Sequence, residues 1–339
     1  MRITASSVRR DFHIHTCYSD GAYRPSEVVK LAATRGVSEM SVTDHDSIKG
    51  LREAALAAEE RGINFMSGIE LTSFFCWDER ERPRMLHILG YGFDLEKAEN
   101  DEEFTSRLAK IHRLREDYYI NICIATRENP FMLTTETGWP HQISVYFGDL
   151  MKEVSVGTPS DEHLAIALRK KVKKIAPKFC MSPREILEAF FFQNPKTWSR
   201  FERKSGLTLR QSPEIRERFL TPPVVKDRDY YYTDEAVSKI ISLGGIASLA
   251  HSGDFMFGVR NEEELGHVIS LGIRALEVWH SKNTDSWINV LLNRARIDDL
   301  GVTGGSDFHI FIPGRKNIGD FVNREPVPCG SIEEILSHR

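Results

Sequence analysis

The chain has 339 residues, 41% of them hydrophobic and 28% charged, so it can bury one or two cores and is not a disordered chain. Lys and Arg number 45 and Asp and Glu number 49, and this net charge of -4 argues against a dedicated nucleic-acid binder. No run approaches the roughly 18 consecutive apolar residues of a membrane span. Residues 1–10 lack the apolar core of a signal peptide, so we expect a cytoplasmic protein without membrane contact. The five cysteines are an odd number with no CxxC pair, which predicts reduced thiols.

The first hundred residues alternate between short apolar strands and helices, which is typical of a parallel βα fold. An apolar run leads into His13 and His15. A helix is predicted from Pro25, which suits a first helical position, to Gly36, which suits a C-terminal cap. The pattern continues with a helix over 47–61 and with strands over 39–43, 65–71 and 86–93.

The βα pattern is then interrupted by residues 103–229. Apolar residues recur at helical spacing in the first part of this segment, and a capping box at Ser182–Glu185 predicts a further helix. Basic residues exceed acidic ones by six here, which fits a solvated face as well as a surface that meets an anionic substrate. We expect a mainly helical insertion that covers the site as a substrate cap.

The βα pattern returns at Thr233, a predicted N-cap, with strands over 246–250 and 273–279 and a last strand from Val302. About seven strands carry chemically interesting residues at nearly every C-terminal end. That distribution favours an α/β barrel, because an open sheet concentrates such residues at one switch point. Residues 1–102 and 230–339 are therefore predicted to form the two parts of one barrel around the insertion.

Nine nitrogen and oxygen donors lie at the predicted strand ends. His13 and His15 point to the same side of their strand, because residues two apart share a face, so both imidazoles can reach one ion. The full set is His13, His15, Asp20, His45, Glu70, His87, His251, Asp307 and His309. A set without thiolates suits Mn²⁺, Fe²⁺ or Zn²⁺, with Mn²⁺ preferred here.

Nine donors exceed the needs of one ion, so we expect two or three divalent ions, with Glu70 as a candidate bridge between two of them. The charges of the site sum to a positive value if three such ions are held by three carboxylates and a bridging hydroxide. A phosphate dianion would neutralise that charge. Bound water would become a hydroxide nucleophile at neutral pH, which indicates phosphoester hydrolysis. Amide hydrolysis uses the same nucleophile and stays open at this point.

Seven short motifs in order resemble those of the PHP family, named for polymerase and histidinol phosphatase domains. They are Asp11–Thr16, Ser19–Gly21, Thr43–Asp46, Gly68–Glu70, His87–Gly90, Leu249–His251 and Gly305–His309. The resemblance implies a distorted (β/α)7 TIM-like barrel, a metal cluster and phosphoesterase activity. It also implies three ligand groups: His13, His15, Glu70 and Asp307; Glu70, His87 and His251; and Asp20, His45 and His309.

Within the family, the chain resembles the small bacterial branch that includes nucleoside 3′,5′-bisphosphate phosphatases and an enzyme that hydrolyses a phosphoribose cyclic phosphate. That branch usually carries an Arg-Pro-His-Ile-Ala type segment in the insertion. Here the nearest segment is Asp161–Ala165, without the Arg-Pro, and the insertion is longer. The resemblance therefore leaves the substrate open.

Other residues are candidates for substrate contact or support. His163 could meet a phosphate or a base of the substrate, and Arg315 and Lys316 could bind a second phosphate. His280 could donate a proton to the leaving group. Asp44, which flanks His45, is predicted to orient a ligand imidazole, and Asp46 to cap the next helix.

We predict a metal-dependent hydrolase of phosphate esters in small phosphorylated metabolites, such as a nucleotide or phosphosugar, with Asp20, Glu70, His251 and Asp307 as catalytic residues. The alternatives are a cyclic phosphodiesterase or nuclease, a metal-dependent amidohydrolase, and a non-catalytic regulatory module. Nucleic acid is expected only as substrate, and no obligate protein partner is evident.

Overall fold

The structure is a computed structural model. It describes residues 8–77, 83–135, 138–154, 157–192, 195–210, 229–255, 257–311, 317–321 and 327–339. The chain divides into two compact units, one of residues 1–111 and 227–339 and one of residues 112–226. Within the described part of the chain, no helix is both long enough and apolar enough to cross a membrane.

The first unit is a mixed α/β fold built around an eight-stranded sheet. Its strands are β1 (Arg9–Asp11), β2 (Val37–Val42), β3 (Asn64–Phe75), β4 (Arg84–Tyr91), β8 (Tyr231–Tyr232), β9 (Ile246–Leu249), β10 (Ala275–Trp279) and β11 (Gly301–Gly304). The order is β1-β2-β3-β4-β9-β10-β11, with β8 paired to β3. All neighbours are parallel except β3 with β4 and β4 with β9.

The helices of this unit are α1 (Pro25–Thr34), α2 (Leu51–Glu59), α3 (Leu95–Asn100), the first part of α4 (Glu102–Glu128), α9 (Thr233–Ser242), α10 (Glu262–Ser270), α11 (Asp285–Asp298) and α12 (Ile332–Leu336). Pro25 is the first residue of α1, and Gly36 follows that helix with a φ of 73°, which a residue with a Cβ rarely adopts. The sequence signals at both ends of this helix are thus confirmed. The predicted N-cap, Thr233, is instead the first residue of α9. The N-cap is Tyr232, whose backbone N–H donates to the Glu235 carboxylate.

The strand β4 corrects the expected parallel βα pattern. It is the next strand after β3 among the described residues and pairs antiparallel with it, so Thr72 lies opposite His87. His87 therefore lies within its strand, as the fourth of eight residues, and not after its end. The reversed direction of β4 nevertheless puts His87 at the same edge of the sheet as the carboxyl ends of the parallel strands.

Apolar side chains fill the unit between the sheet and its helices. Phe12 and Tyr91 are fully buried and lie edge to face, and the Tyr91 hydroxyl donates to the Phe12 carbonyl at 2.9 Å. Backbone hydrogen bonds also join the two ends of the strand order. The Phe12 N–H donates to the Gly304 carbonyl and the His15 N–H to the Phe308 carbonyl.

The second unit contains the rest of α4 together with α5 (Phe147–Met151), α6 (Asp161–Ile175), α7 (Pro183–Leu187), a π-helical turn (Glu188–Phe192) and α8 (Pro195–Ser205). It also has a three-stranded antiparallel sheet in the order β6-β5-β7, formed by β5 (Phe131–Thr135), β6 (Pro140–Ile143) and β7 (Leu207–Arg210). This sheet was not foreseen in the segment expected to be mainly helical. The capping box at Ser182 is present, since its hydroxyl accepts the Glu185 N–H and the Glu185 carboxylate accepts the Ser182 N–H.

Candidate metal centre

The nine predicted donors come together at one edge of the eight-stranded sheet. His13 and His15 follow β1, His45 follows β2, His251 follows β9, and Asp307 and His309 follow β11. Glu70 lies within β3, where a bridge to His45 extends the pairing of β2 and β3. A close approach at Gly305 helps to bring the outer segments together, because a Cβ at this position would lie 2.2 Å from the Cβ of His13.

Glu70 is the centre of the cluster. Its carboxylate is fully buried, and five imidazoles surround its two oxygens. The distances to Oε2 are 3.0 Å from His13 Nε2, 3.1 Å from His15 Nε2 and 3.2 Å from His45 Nδ1. The distances to Oε1 are 2.9 Å from His87 Nδ1 and 3.1 Å from His251 Nε2.

Asp20 organises a second group of donors. Its Oδ1 lies 3.2 Å from His309 Nε2 and 3.5 Å from His15 Nδ1, and its Oδ2 lies 3.9 Å from His45 Nε2. The ligand atoms of these four residues all lie within 4.8 Å of one another, as a metal site requires. The other such groups among the described residues are His13, His280 and Asp307; His13, Glu70 and His251; and His45, Glu70 and His87.

Hydrogen bonds on the outer nitrogens orient two of the rings. A carboxylate of Glu277 accepts from His13 Nδ1 at 2.8 Å, and the carbonyl of Asp307 accepts from His309 Nδ1 at 3.0 Å. Each Nδ1 therefore carries a proton, and each Nε2 is the nitrogen that faces the cluster and could bind a metal ion in place of its own proton. This arrangement is common for metal-bound imidazoles.

The electrostatics of the cluster favour positive charge. Burial lowers the pKa of His13, but attraction to Glu277 and Glu70 raises it well above its ordinary value. Burial raises the pKa of Glu70, but the surrounding imidazoles hold that pKa well below its ordinary value. A site that stabilises protonated imidazoles beside ionised carboxylates is one in which divalent cations can replace the protons.

The residues at this edge fit bound metal ions. A carboxylate has two oxygens, and five convergent imidazoles exceed the partners that one buried carboxylate needs as a hydrogen-bond acceptor. His251 and Asp307 also hold unusual positive φ angles of 23° and 53°, a strain that is typical of functional sites.

The substrate candidates have different outcomes. His280 is fully buried with Nε2 3.5 Å from Asp307 Oδ2, so the structure brings it to the cluster. His163 belongs to the second unit, where Ser160 and the ring Nδ1 lie 2.8 Å apart at the start of α6, as part of the helix cap. Arg315 and Lys316 lie outside the described residues.

Asp44 and Asp46 form hydrogen bonds to neighbouring segments of the site. Asp44 binds the loop after β1, accepting from the Thr16 N–H and the Ser19 hydroxyl, both at 2.6 Å. Asp46 is not a helix cap, because α2 begins only at Leu51. Its carboxylate instead accepts from the N–H and hydroxyl of Thr72, at 2.9 and 2.8 Å.

Two charged residues of the site were missed by the sequence analysis. Glu277 is fully buried within β10, and an acidic residue in the middle of an apolar strand was a signal that could have found it. Lys282 follows the same strand and lies 2.7 Å from Asp254 and 3.7 Å from Asp307. Nothing in its local sequence separates it from ordinary surface lysines.

The donors at this edge of the sheet form groups that could hold metal ions, and comparison with known proteins shows what the chain resembles. Residues 11–138 match the family model described as the PHP domain. The chain is 27% identical over 312 residues to a phosphoribosyl 1,2-cyclic phosphate 1,2-diphosphodiesterase of Eggerthella lenta, covering 88% of this chain and 93% of that protein. It is 25% identical over 333 residues to a 3′,5′-nucleoside bisphosphate phosphatase of Chromobacterium violaceum, covering 97% and 96%.

A solved structure of a Bifidobacterium adolescentis protein, described as a metal-dependent phosphoesterase, has the same fold. The TM-score is 0.67 at 23% identity, with 98% of this chain and 97% of that chain covered. The chain is thus similar to the PHP domain over residues 11–138 and, over most of its length, to proteins that are named as a diphosphodiesterase and a phosphatase.

Proposed function

We propose that the nine donors bind three divalent ions and that the enzyme hydrolyses a phosphate ester of a small phosphorylated metabolite. The observation that carries this proposal is the convergence of five imidazoles on the two oxygens of Glu70, at 2.9 to 3.2 Å. A carboxylate in this position can bridge two ions, which a single-ion site would not require. Mn²⁺ is the first candidate, and Fe²⁺ and Zn²⁺ share the same preference for nitrogen and oxygen donors.

The proposed ligand groups are His13, His15, Glu70 and Asp307; Glu70, His87 and His251; and Asp20, His45 and His309. The short distances of Asp20 to His309 and of Glu70 to His87 and His251 support the second and third groups. His45 lies nearer to Glu70 than to Asp20, at 3.2 against 3.9 Å, and it is the ligand most easily shared between two ions.

The ions would activate water as a nucleophile and stabilise negative charge on the phosphoryl oxygens. The catalytic residues in this proposal are Asp20, Glu70, His251 and Asp307, which act by holding the ions in place.

His280 has a separate role. Its Nδ1 accepts the backbone N–H of Lys282 at 3.2 Å, so the neutral ring keeps its proton on Nε2, which faces Asp307. From there it can donate to the leaving oxygen.

We further propose that the sheet closes into a distorted barrel. The backbone hydrogen bonds between the segments after β1 and β11 and the parallel bridge of Ile14 with Phe308 support closure. Closure would fix His13 and His15 beside Asp307 and His309, because the first and last strands become neighbours.

We also propose a cytoplasmic location, since none of the five cysteines forms a disulfide bond.

The substrate class is narrowed by the relatives. The names of the Chromobacterium violaceum and Eggerthella lenta proteins indicate a nucleoside 3′,5′-bisphosphate and a phosphoribosyl cyclic phosphate, respectively. Both substrates carry a phosphate ester on a ribose. We propose a small ribose phosphate ester as the substrate, with the bisphosphate monoester first and the cyclic ester second.

The test is phosphate release by the purified, Mn²⁺-loaded protein across nucleoside bisphosphates, nucleoside monophosphates, phosphosugars, sugar cyclic phosphates and short oligonucleotides. The proposal would be supported by turnover of one small-molecule class that is abolished both by Asp307→Ala and by removal of the metal with a chelator. Cyclic esters are scored by ring opening, and oligonucleotides would reveal a nuclease. If the metal-loaded protein hydrolyses no compound of the panel, the proposed function is overturned and an amide substrate is favoured.

A further inference from the structure

Lys282 places an ammonium group beside the donor cluster. The residue follows β10, and its Nζ lies 2.7 Å from Asp254 Oδ2 and 3.7 Å from Asp307 Oδ2. Its side chain is 38% exposed, whereas the imidazoles of His13 and His15 are fully buried. The side chain of Lys282 is therefore both near the cluster and partly exposed to solvent.

The two oxygens of Asp307 face different partners. Oδ1 lies 3.4 Å from His15 Nε2 and 3.7 Å from His13 Nε2, on the side of the imidazoles. Oδ2 faces His280 Nε2 and Lys282 Nζ. A ligand that approaches Asp307 from the Oδ2 side thus meets the ammonium of Lys282.

Asp254 holds the ammonium in place from a fixed loop. Its own N–H donates to the His251 carbonyl, its carbonyl accepts from Gly258, and its Oδ1 accepts from the Phe257 N–H. An ammonium has three donors, and the Asp254 carboxylate lies at hydrogen-bond distance while Asp307 lies beyond it. The Lys282 ammonium can therefore still donate a hydrogen bond to an anion.

Lys282 is an ammonium at neutral pH, because the amine of a lysine ordinarily keeps its proton well above pH 7. A compact ammonium on a flexible stem is a common ligand of phosphate groups.

We propose that Lys282 binds a phosphate group of the substrate through Nζ and is a binding residue of the enzyme. This inference rests on the proposed function, since it concerns the phosphate ester that the same site hydrolyses. The competing explanation is that Lys282 only ties the loop after β10 to the loop after β9 through Asp254.

The test compares Lys282→Met and Asp254→Asn in the metal-loaded enzyme, with inorganic phosphate as the probe. Calorimetric titration and competitive inhibition of phosphoester hydrolysis each give a dissociation constant for phosphate. We expect Lys282→Met to weaken phosphate binding about 10- to 100-fold, the usual effect of losing a charged hydrogen bond, and to raise KM more than it lowers kcat. Asp254→Asn should bind phosphate as tightly as the wild type or more tightly, because a competing anion is gone.

Three further measurements keep the result unambiguous. Lys282→Arg should keep most of the phosphate affinity of the wild type. Lys97→Met changes a lysine that binds a backbone carbonyl elsewhere in the unit, and it should leave the phosphate affinity unchanged. Lys282→Gln replaces Lys282→Met if the Met variant fails to fold. Equal losses in Lys282→Met and Asp254→Asn, or wild-type phosphate affinity in Lys282→Met at equal metal content, would overturn the assignment. An inactive wild-type enzyme that still binds phosphate through Lys282 would instead count against the proposed function alone.

Discussion

Glu277 and His13 share a hydrogen bond of 2.8 Å between two fully buried side chains. The other carboxylate oxygen of Glu277 accepts the backbone N–H of His251 at 2.6 Å. Burial raises the pKa of Glu277, but the neighbouring imidazoles lower it overall to about 2, so the group is ionised at neutral pH. One carboxylate thus fixes the ring of His13 and the position of His251, two predicted metal ligands on different strands.

Replacing Glu277 by Gln should weaken metal binding about 10- to 100-fold, because the orientation and basicity of His13 depend on this partner. Chelator competition followed by metal analysis measures the affinity. Glu264→Gln is the matched control, since Glu264 is also buried and pairs with Arg84 at 2.7 Å outside the donor set. Unchanged metal affinity in Glu277→Gln would contradict the role of Glu277.

Replacing Glu70 by Gln should remove most of the stabilisation that metal gives the protein, because Glu70 belongs to two of the three proposed ligand groups. Saturation at 100 times the dissociation constant adds about 2.7 kcal/mol per site to the free energy of unfolding. The variant keeps only the group of Asp20, His45 and His309 intact, so the shift that Mn²⁺ causes in the thermal melt should fall to about a third of its wild-type size. Activity should fall about 100-fold or more. Glu53→Gln, which alters an ion pair with Arg24 in the same unit, should keep the full shift. A metal-dependent shift of wild-type size in Glu70→Gln would disprove the bridging role.

The pair of Asp20 and His309 should make the metal-free protein less stable at high pH. Burial lowers the pKa of His309, but the Asp20 carboxylate at 3.2 Å raises it to about 10, above the value of about 6.5 in the unfolded chain. Stability from this pair is then complete below pH 6.5 and is lost as the pH rises to 10. Urea unfolding in chelator at pH 7 and pH 9.5 should show this decline, and Asp20→Asn should reduce it. A decline of the same size in the variant would refute the assignment.

The cysteines should differ sharply in reactivity. Cys180 is exposed, whereas burial raises the pKa of the Cys123 thiol to about 12 and that of Cys329 still further. Thiolate is the reactive form, so iodoacetamide at pH 8 should label Cys180 first in the native protein. Peptide mass spectrometry locates the label, and labelling in 8 M urea is the control in which Cys123 reacts as well. Early native labelling of Cys123 would be inconsistent with its burial.

Phe131 should anchor the core of the second unit. It is fully buried, and its ring lies edge to face with those of Phe190 and Phe191, with centroids 4.8 and 5.5 Å away. Phe131→Ala should cost about 3–5 kcal/mol in the free energy of unfolding, measured by denaturant titration. The exposed Trp139 lies near the same sheet, and Trp139→Ala should cost less than about 0.5 kcal/mol. Similar costs for the two variants would show that Phe131 lies outside the stabilising core.

Much of the donor cluster could be predicted because its residues carry their chemistry locally. His13 and His15 share a face in any extended strand, and their ring nitrogens lie 3.1 Å apart in the structure. The same local logic located Asp307 and His309 after the last strand. Helix ends at Pro25 and Gly36 followed from single residues with strong backbone preferences.

The sequence by itself determined which residue types stand at the edge of the sheet, because alternation and turn preferences act over a few residues. The antiparallel direction of β4, the bond from Glu277 to His13 and the place of Lys282 beside Asp307 were decided only by the tertiary structure. The partners in those contacts lie on separate strands, 264 positions apart in the case of Glu277 and His13. No local pattern encodes such distant pairs, since they arise when the whole sheet assembles and buried charges must find partners.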